Sequence, residues 1–267
     1  MTGTVYIVGA GPGAPDLLTL RALRTLERAD VVFHDALVPE DIVCLAVRAI
    51  KVPVGKRGGG LSTAQHFINK RLVDATRKHG VVVRLKGGDP TLFGRAHEEI
   101  SYLTKHRIRF EIVPGITAAL AASAELGVSL TRRGLSRSVA LLTTRTGAGE
   151  RPNEWLGAAL AADSVAIYMG AGEARRIARD LLAAGKPPAS AVAVIENASL
   201  PDRVVNFGSL QDLEAVAARG TAGPSLVLIG EVLRDAAIMG AWQAEPSSSS
   251  PTARVTRTGR ARSGSSH

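Results

Sequence analysis

The sequence contains little cysteine and few aromatic residues. Cys44 is the single cysteine among 267 residues, so the chain cannot form an intramolecular disulfide or a zinc site built on two or more thiolates. Phe, Trp and Tyr together make up 4% of the residues, which is too few for the stacking platforms of single-stranded nucleic-acid binders. We therefore expect an enzyme of a reducing compartment, without a nucleic-acid partner.

Long apolar runs and histidine clusters are also missing. The longest weakly polar run, 116–130, contains Glu125 and is shorter than the roughly 18 residues that span a bilayer, so we expect no transmembrane helix and no membrane partner. The N-terminal segment lacks the cationic region of a secretory signal, which predicts a cytoplasmic protein.

The six histidines show no metal-ligand spacing and predict no metal site. His97, Glu98 and Glu99 are interpreted as the solvated start of a helix.

Positive charge is in excess, with 33 Lys and Arg residues against 24 Asp and Glu residues, a formal net charge of +9. Such a balance suits an anionic partner. Part of the excess lies in residues 243–267, whose Ser-, Arg- and Gly-rich composition predicts a disordered basic tail. The rest of the chain is predicted to form two α/β lobes, at 1–115 and 116–242, with a ligand cleft between them.

Apolar periodicity predicts alternating strands and helices along both lobes. In the first lobe it predicts five strands, among them 4–8, 31–34, 81–85 and 109–113, and helices at 17–28, at 96–105 and from a capping box at Ser62. In the second lobe it predicts strands at 139–143, 165–168, 192–196, 204–207 and 226–229 and a helix at 173–184. An alanine-rich helix at 116–126 is predicted to carry the chain from one lobe to the other.

Three glycine-containing loops follow predicted strands of the first lobe, at 9–14, 87–90 and 114–118. The first loop satisfies the dinucleotide pattern G-x-G-x-x-G/A, and Asp35 stands where a ribose-binding acid would be. A nicotinamide dehydrogenase is therefore one hypothesis, although Pro12 removes a backbone N–H that a pyrophosphate would need. Because the carboxyl ends of parallel strands share one sheet edge, we predict that the three loops form a ligand site.

Seven segments, in order, resemble the tetrapyrrole methylase family, and within it the members that methylate uroporphyrinogen III. They are VGAGPGAPDLLTLRAL (8–23), ADVVFHDALV (29–38), VGKRGGG (54–60), VVRLKGGDPTLFGR (82–95), VPGITAALAASAELGVSLTRR (113–133), IYMG (167–170) and VIENAS (194–199). The resemblance covers about residues 4 to 233. It implies the two-lobed class III methyltransferase fold, a homodimer, and S-adenosylmethionine as the cofactor, without a metal.

The resemblance also implies a reaction. Two methyl groups would pass to carbons 2 and 7 of uroporphyrinogen III, giving precorrin-2 by way of precorrin-1 and two molecules of S-adenosylhomocysteine. The product would lead to sirohaem and cobalamin, and the dehydrogenase and ferrochelatase module of fused relatives is expected to be absent. A methylase of a later precorrin and an RNA ribose methylase are alternatives, against which the segments LKGGDPTLFGR and HDALV argue.

Site residues are carried over by position. The resemblance implies cofactor contacts at Pro12, Gly87, Gly88, Asp89, Leu92, Thr117, Ala118, Met169 and Ala198. It implies that Asp35 is the proton acceptor and Lys56 the proton donor. Since the substrate bears eight carboxylates, Arg95, Arg132 and Arg133 are candidate partners for them.

Other interpretations of these residues stay open. Without the resemblance, Met169 could fill a core and Ala198 could be a turn residue, while Asp35 could cap a loop and Lys56 could lie at a strand end. The sequence also departs from the family pattern on the substrate side. Ala96 and His97 stand in place of Gly-Gly, and 131–134 reads TRRG in place of Thr-His-Arg-Asp.

Overall fold

A computed structural model of the chain describes residues 2–54, 62–147, 153–220 and 223–239, with the side chains of 62–64 and 237–239 left aside. It contains two five-stranded sheets, which confirms the predicted α/β class.

The first sheet is formed by β1 (Thr4–Gly9), β2 (Val31–His34), β3 (Ile50–Pro53), β4 (Val81–Lys86) and β5 (Arg109–Val113). Its strand order is β3-β2-β4-β1-β5, and every pair is parallel. All its carboxyl ends therefore lie at one edge.

Helices cover both faces of the first sheet, as a parallel sheet requires. The helices that follow its strands are α1 (Leu20–Glu27), α2 (Glu40–Cys44), α3 (Ser62–Thr76) and α4 (Ala96–Lys105). Leu26 of α1 and Ile42 of α2 lie in the core on one face. Leu72 of α3 and Leu103 of α4 lie in the core on the other.

The second sheet is mixed and has its own two cores. Its strands are β6 (Val139–Thr143), β7 (Ser164–Tyr168), β8 (Ala191–Glu196), β9 (Val204–Ser209) and β10 (Ser225–Ile229), in the order β6-β7-β10-β8-β9. Only β6 and β7 pair in parallel; the other three pairs are antiparallel. The helices of this half are α6 (Trp155–Ala161), α7 (Ala174–Ala183), α8 (Leu213–Ala217) and α9 (Arg234–Met239). The first three pack on one face of the sheet.

The helix α5 (Ala118–Glu125) joins the two sheets, as predicted. Only four residues separate it from the end of β5, yet its buried Ala119 and Ala122 belong to the core on the other face of the second sheet. Small side chains allow this close packing of a helix on strands. The loop after β5 is therefore held against the second sheet by the helix that follows it.

Several predicted elements have the bounds that the structure shows, and others differ by a few residues. Strands β2, β5 and β6 and helix α4 have the predicted bounds. The first helix begins later than predicted, because 15–17 forms a 3-10 turn and Thr19 caps α1 by accepting a hydrogen bond from the Ala22 N–H. The short helices α2, α6, α8 and α9 were not predicted. No helix in the described ranges has the length and apolar character needed to cross a bilayer.

The three predicted loops do meet, and they pack backbone against backbone. Gly11 and Gly88 exchange two backbone hydrogen bonds, of 3.2 and 2.6 Å. A Cβ atom on Gly9 would lie 2.7 Å from the Gly115 Cα and 2.7 Å from the Gly88 carbonyl oxygen. A Cβ atom on Gly115 would overlap that same oxygen. Glycine is thus required at Gly9 and Gly115 because the loops touch there.

We expect Gly115→Ala to lower the free energy of unfolding by about 1–3 kcal/mol, since the new methyl group meets a backbone that cannot move aside. Gly157→Ala is the matched control. Gly157 lies within α6, where an added Cβ meets nothing within 4 Å, so helix propensity makes this change stabilising by up to about 1 kcal/mol. Urea unfolding of both variants checks the pair. Equal stability of the two variants would contradict the packing argument.

Candidate active site

The carboxyl edge of the first sheet leaves one backbone surface open. An added Cβ on Gly88 meets nothing within 4 Å, and one on Gly87 meets only the Cβ of Leu37, at 3.9 Å. These two predicted cofactor contacts therefore differ from the tightly packed Gly9 and Gly115. A ligand can approach the backbone of Gly87 and Gly88 directly.

The Asp89 carboxylate, also a predicted cofactor contact, holds the loops together. Its Oδ2 accepts a hydrogen bond from the Gly115 N–H at 2.9 Å, and its Oδ1 accepts one from the Thr91 N–H at 2.8 Å. The Thr91 hydroxyl also donates to Oδ1, at 2.5 Å, so three of the carboxylate's lone pairs are used within the protein. Asp89 fixes the distance between the second and third loops, and it offers a ligand only the lone pairs that remain.

A second set of loops faces this edge from the other sheet. The Ala14 N–H donates to the Ser199 Oγ at 2.9 Å, and the Ser199 N–H donates to Glu125 at the end of α5 at 3.1 Å. A Cβ on Gly13 would lie 2.7 Å from the Leu200 side chain. The loop that contains Pro12 therefore lies against the loop that contains Ala198, so predicted cofactor contacts from the two halves come together.

Strained backbone is concentrated in these loops. Six non-glycine residues among those described have a positive φ, and five of them are Phe93, Arg95, Met169, Asn197 and Ser199. Such conformations cost about 1–3 kcal/mol each and cluster at functional sites. Met169 is 39% exposed, so the core-filler interpretation is wrong. Ala198 packs in the core beneath α5.

Tyr168, which sequence analysis did not select, connects the two sheets. Its hydroxyl lies 2.6 Å from the Thr117 Oγ1 and accepts a hydrogen bond from the Ala119 N–H at 3.2 Å. The hydroxyl thus caps α5 in place of Thr117, whose own side chain makes no cap hydrogen bond. Burial raises the pKa of the Tyr168 hydroxyl against the effect of these hydrogen bonds, so the phenol stays protonated at neutral pH.

The Tyr168 ring also contacts the first sheet's loops. Phe93 lies 5.0 Å from it, measured between ring centroids. Leu92, a predicted cofactor contact, precedes Phe93 and is partly buried. The motif IYMG contained the signal for Tyr168, but its partners lie 49 and 51 residues away along the chain.

Asp35, the predicted proton acceptor, lies above a buried ion cluster. Its Oδ1 accepts a hydrogen bond from Arg84 Nη2 at 2.5 Å, and its Oδ2 is 4.0 Å from Lys86 Nζ. Arg84 and Lys86 also bind Glu99 Oε1, at 2.9 and 3.1 Å. Burial and the neighbouring guanidinium of Arg84 lower the pKa of the Lys86 ammonium, although the carboxylates oppose that effect.

The interpretation of residues 97–99 as a solvated helix start is wrong for Glu99. His97 and Glu98 are exposed, but Glu99 is 0% exposed. The reason is the pitch of α4, which turns Glu99 towards the sheet and Glu98 towards the solvent. Within the described ranges, no group of three or more His, Cys, Asp or Glu side chains is arranged to hold a metal ion.

The three candidate substrate arginines are exposed but differ in their partners. Arg95 binds both carboxylate oxygens of Glu98, at 2.6 and 2.9 Å. Arg132 binds Asp235 at 2.6 Å. The Arg133 side chain has no recorded partner in the part of the chain that the structure describes, so its guanidinium is the one most available to a carboxylate. Lys56 lies outside the described residues.

Comparison with known proteins identifies the class. Residues 4–214 match the family of Tetrapyrrole (Corrin/Porphyrin) Methylases, and the chain belongs to this family. The uroporphyrinogen-III C-methyltransferase of Pseudomonas aeruginosa is 44% identical over 236 residues, which are 88% of this chain and 96% of that protein. A siroheme synthase of Psychrobacter sp. is 42% identical over 87% of this chain, which spans only 48% of that longer protein.

A solved structure confirms the predicted tetrapyrrole methylase fold. The uroporphyrin-III C-methyltransferase of Thermus thermophilus, complexed with S-adenosylhomocysteine, superposes with a TM-score of 0.76 at 38% identity. The match covers 87% of this chain and 94% of that one. The predicted cofactor contacts themselves stay predictions.

We expect Tyr168→Phe to reduce both stability and cofactor affinity. Loss of the hydroxyl leaves the Ala119 N–H uncapped, at a cost of about 1 kcal/mol, and releases Thr117. Thermal unfolding and titration with S-adenosylhomocysteine measure the two effects. Tyr6→Phe is the control, because no hydrogen bond of the Tyr6 hydroxyl is recorded among the described residues. Unchanged affinity in Tyr168→Phe would contradict a role for the Thr117–Tyr168 pair in the site.

Proposed function

We propose that this protein transfers methyl groups from S-adenosylmethionine to carbons 2 and 7 of uroporphyrinogen III, giving precorrin-2 by way of precorrin-1. One observation carries the proposal. The hydrogen bonds between Ala14 and Ser199 and between Thr117 and Tyr168 join loops of both halves that contain predicted cofactor contacts. The choice of substrate is supported by the names of the relatives from Pseudomonas aeruginosa and Thermus thermophilus.

The residues at this edge fit S-adenosylmethionine better than a dinucleotide. The open faces of Gly87 and Gly88 and the small side chains of Ala118 and Ala198 suit a compact nucleoside that lies close to the backbone. Pro12 has no N–H to offer a pyrophosphate. When bound, S-adenosylmethionine supplies a methyl group attached to a positively charged sulfur.

The dehydrogenase hypothesis loses its main support in the structure. It required Asp35 to bind ribose hydroxyls, but Oδ1 of this carboxylate accepts a hydrogen bond from Arg84. The glycine pattern 9–13 is explained by loop packing at Gly9 and Gly11 and by the contact of Gly13 with Leu200.

The main contribution of the protein to this reaction is to position the two reacting carbons. A pyrrole carbon of the reduced macrocycle forms the new carbon–carbon bond as the carbon–sulfur bond breaks, and holding the two carbons about 3–3.5 Å apart supplies most of the acceleration. The macrocycle then loses a proton. Asp35, whose side chain is 30% exposed, accepts it on Oδ2, the oxygen that Arg84 does not bind.

Exposed cations recognise the substrate in this proposal. The eight substrate carboxylates bind exposed cations, with Arg133 the freest of the candidates and Arg95 and Arg132 exchanging their present partners. Lys56 donates a proton. The protein acts as a homodimer in the cytoplasm, and the siroheme synthase relatives support sirohaem as one end product beside cobalamin.

The purified protein, incubated anaerobically with S-adenosylmethionine and enzymatically generated uroporphyrinogen III, is expected to yield a tetrapyrrole heavier by two methyl groups. Mass spectrometry of the product measures this gain, and fragmentation or NMR locates carbons 2 and 7. An unmodified tetrapyrrole, with S-adenosylhomocysteine binding intact, would refute this substrate. Later precorrins and RNA would then be tested in the same assay.

Asp35→Asn is expected to lower kcat by about 10²–10⁴-fold, the usual contribution of a positioned base, with little change in affinity for S-adenosylhomocysteine. The amide keeps an oxygen for Arg84 but cannot take up the proton. Asp16→Asn, at an exposed carboxylate in the turn before α1, is the control and should retain activity. A kcat within threefold of wild type in Asp35→Asn would rule out Asp35 as the proton acceptor.

A further inference from the structure

Four charged side chains form one cluster at the carboxyl end of β4, which we call the β4 charge cluster. Arg84 and Lys86 extend from β4, Glu99 from α4, and Asp35 follows β2. Each cation is within 4.0 Å of both carboxylates. With two positive and two negative members, the cluster is neutral as a whole.

Only Asp35 in this cluster is accessible. Its side chain is 30% exposed, whereas those of Arg84, Lys86 and Glu99 are 2%, 4% and 0% exposed. Glu99 therefore lies beneath the site and cannot touch a substrate. Any effect that it has on the reaction passes through the two cations to Asp35.

Stability alone does not account for Glu99. Gln65, Arg84 and Lys86 all donate to its Oε1, at 3.1, 2.9 and 3.1 Å, while Oε2 is buried without a hydrogen-bond partner among the described residues. Burying charges costs about as much as their attraction returns, so apolar side chains of similar volume would stabilise the fold as well. The charge of Glu99 needs another explanation.

The explanation lies in what Arg84 and Lys86 would do to Asp35 without Glu99. Two buried cations facing a single carboxylate would stabilise its negative form strongly, because charges interact strongly where water is excluded. A carboxylate stabilised in that way is a poor base. A second carboxylate on the far side of the same cations offsets their field.

We propose that Glu99 is a positioning residue that balances the charges of Arg84 and Lys86 beside Asp35 and holds Arg84 in place while Asp35 accepts the substrate proton. This inference rests on the proposed function. It adds a role to a residue that neither touches the ligand nor lies on the open edge.

Among the described residues, the charges that act on Arg84 and Lys86 are those of the other members of the cluster. From α3, Gln65 and Asn69 are neutral and hydrogen-bonded to each other at 3.0 Å. Arg71, on the same helix, lies over the Phe33 ring at 5.4 Å. His34 lies next to Asp35 in the chain, and its Nδ1 is buried with no partner in the described residues.

The test is the pH dependence of kcat/KM for methyl transfer in Glu99→Gln. The amide oxygen can still accept from Arg84, but the negative charge is gone. A carboxylate that faces more net positive charge stays ionised to lower pH, so the acidic limb of the profile should move down by about one pH unit. The plateau should fall by up to about tenfold, since Asp35 becomes the weaker base. Affinity for S-adenosylhomocysteine should not change.

Two further variants measure the same charge balance if Glu99→Gln folds poorly. Lys86→Met removes a positive charge and should move the acidic limb to higher pH, the opposite direction. The double variant Lys86→Met/Glu99→Gln removes one charge of each sign and should return the limb close to its wild-type position. A purely structural role predicts instead that the double variant is the worst of the three and that no limb moves.

Glu173→Gln is the matched control, because Glu173 is a partly buried carboxylate paired with Arg176 in the second half. Its pH profile should match wild type. An acidic limb that stays in place in Lys86→Met, with circular dichroism showing folded protein, would overturn the charge balance and leave the proposed function standing. Failure of the wild-type chain to methylate uroporphyrinogen III would overturn the proposed function, and this role of Asp35 and Glu99 with it.

Discussion

The contact of three glycine-containing backbones at one edge of the first sheet determines the geometry of everything around it. Gly9 and Gly115 touch each other and the Gly88 carbonyl oxygen, and a side chain at Gly9 or Gly115 would push the loops apart. Asp89 adds a hydrogen bond between two of these loops. Because protein interiors transmit small displacements, the open face of Gly87 and Gly88 is fixed by packing on its other side.

The charged groups of the site also fall into a buried set and an accessible set. The β4 charge cluster holds two cations and two carboxylates in balance beneath the loops, and only Asp35 reaches the surface. The unbalanced positive charge lies instead on exposed arginines such as Arg133. Under the proposed function, an anionic substrate would be attracted by these exposed arginines.

The sequence predicted those features whose signals are local. Strand bounds at 31–34 and 109–113 and the convergence of three loops follow from apolar periodicity and from glycine and proline. The sequence predicted that glycines in these loops let a ligand approach the backbone. This holds for Gly87 and Gly88, which face open space, whereas Gly9 and Gly115 are glycines because the loops touch each other there. Tyr168 and Glu99 were missed because their roles depend on partners distant along the chain, which a single sequence does not bring together. Glu99 in particular differs from Glu98 only in the direction that α4 gives it.

Tyr168 belongs to a strand of one sheet and caps a helix that starts from a loop of the other. The set of residues proposed to hold the cofactor is therefore incomplete in either half by itself. A ligand bound there opposes separation of the halves, and by mass action it lengthens the lifetime of the folded chain against proteolysis. Cellular S-adenosylmethionine would thus govern how long the enzyme persists as well as how fast it turns over.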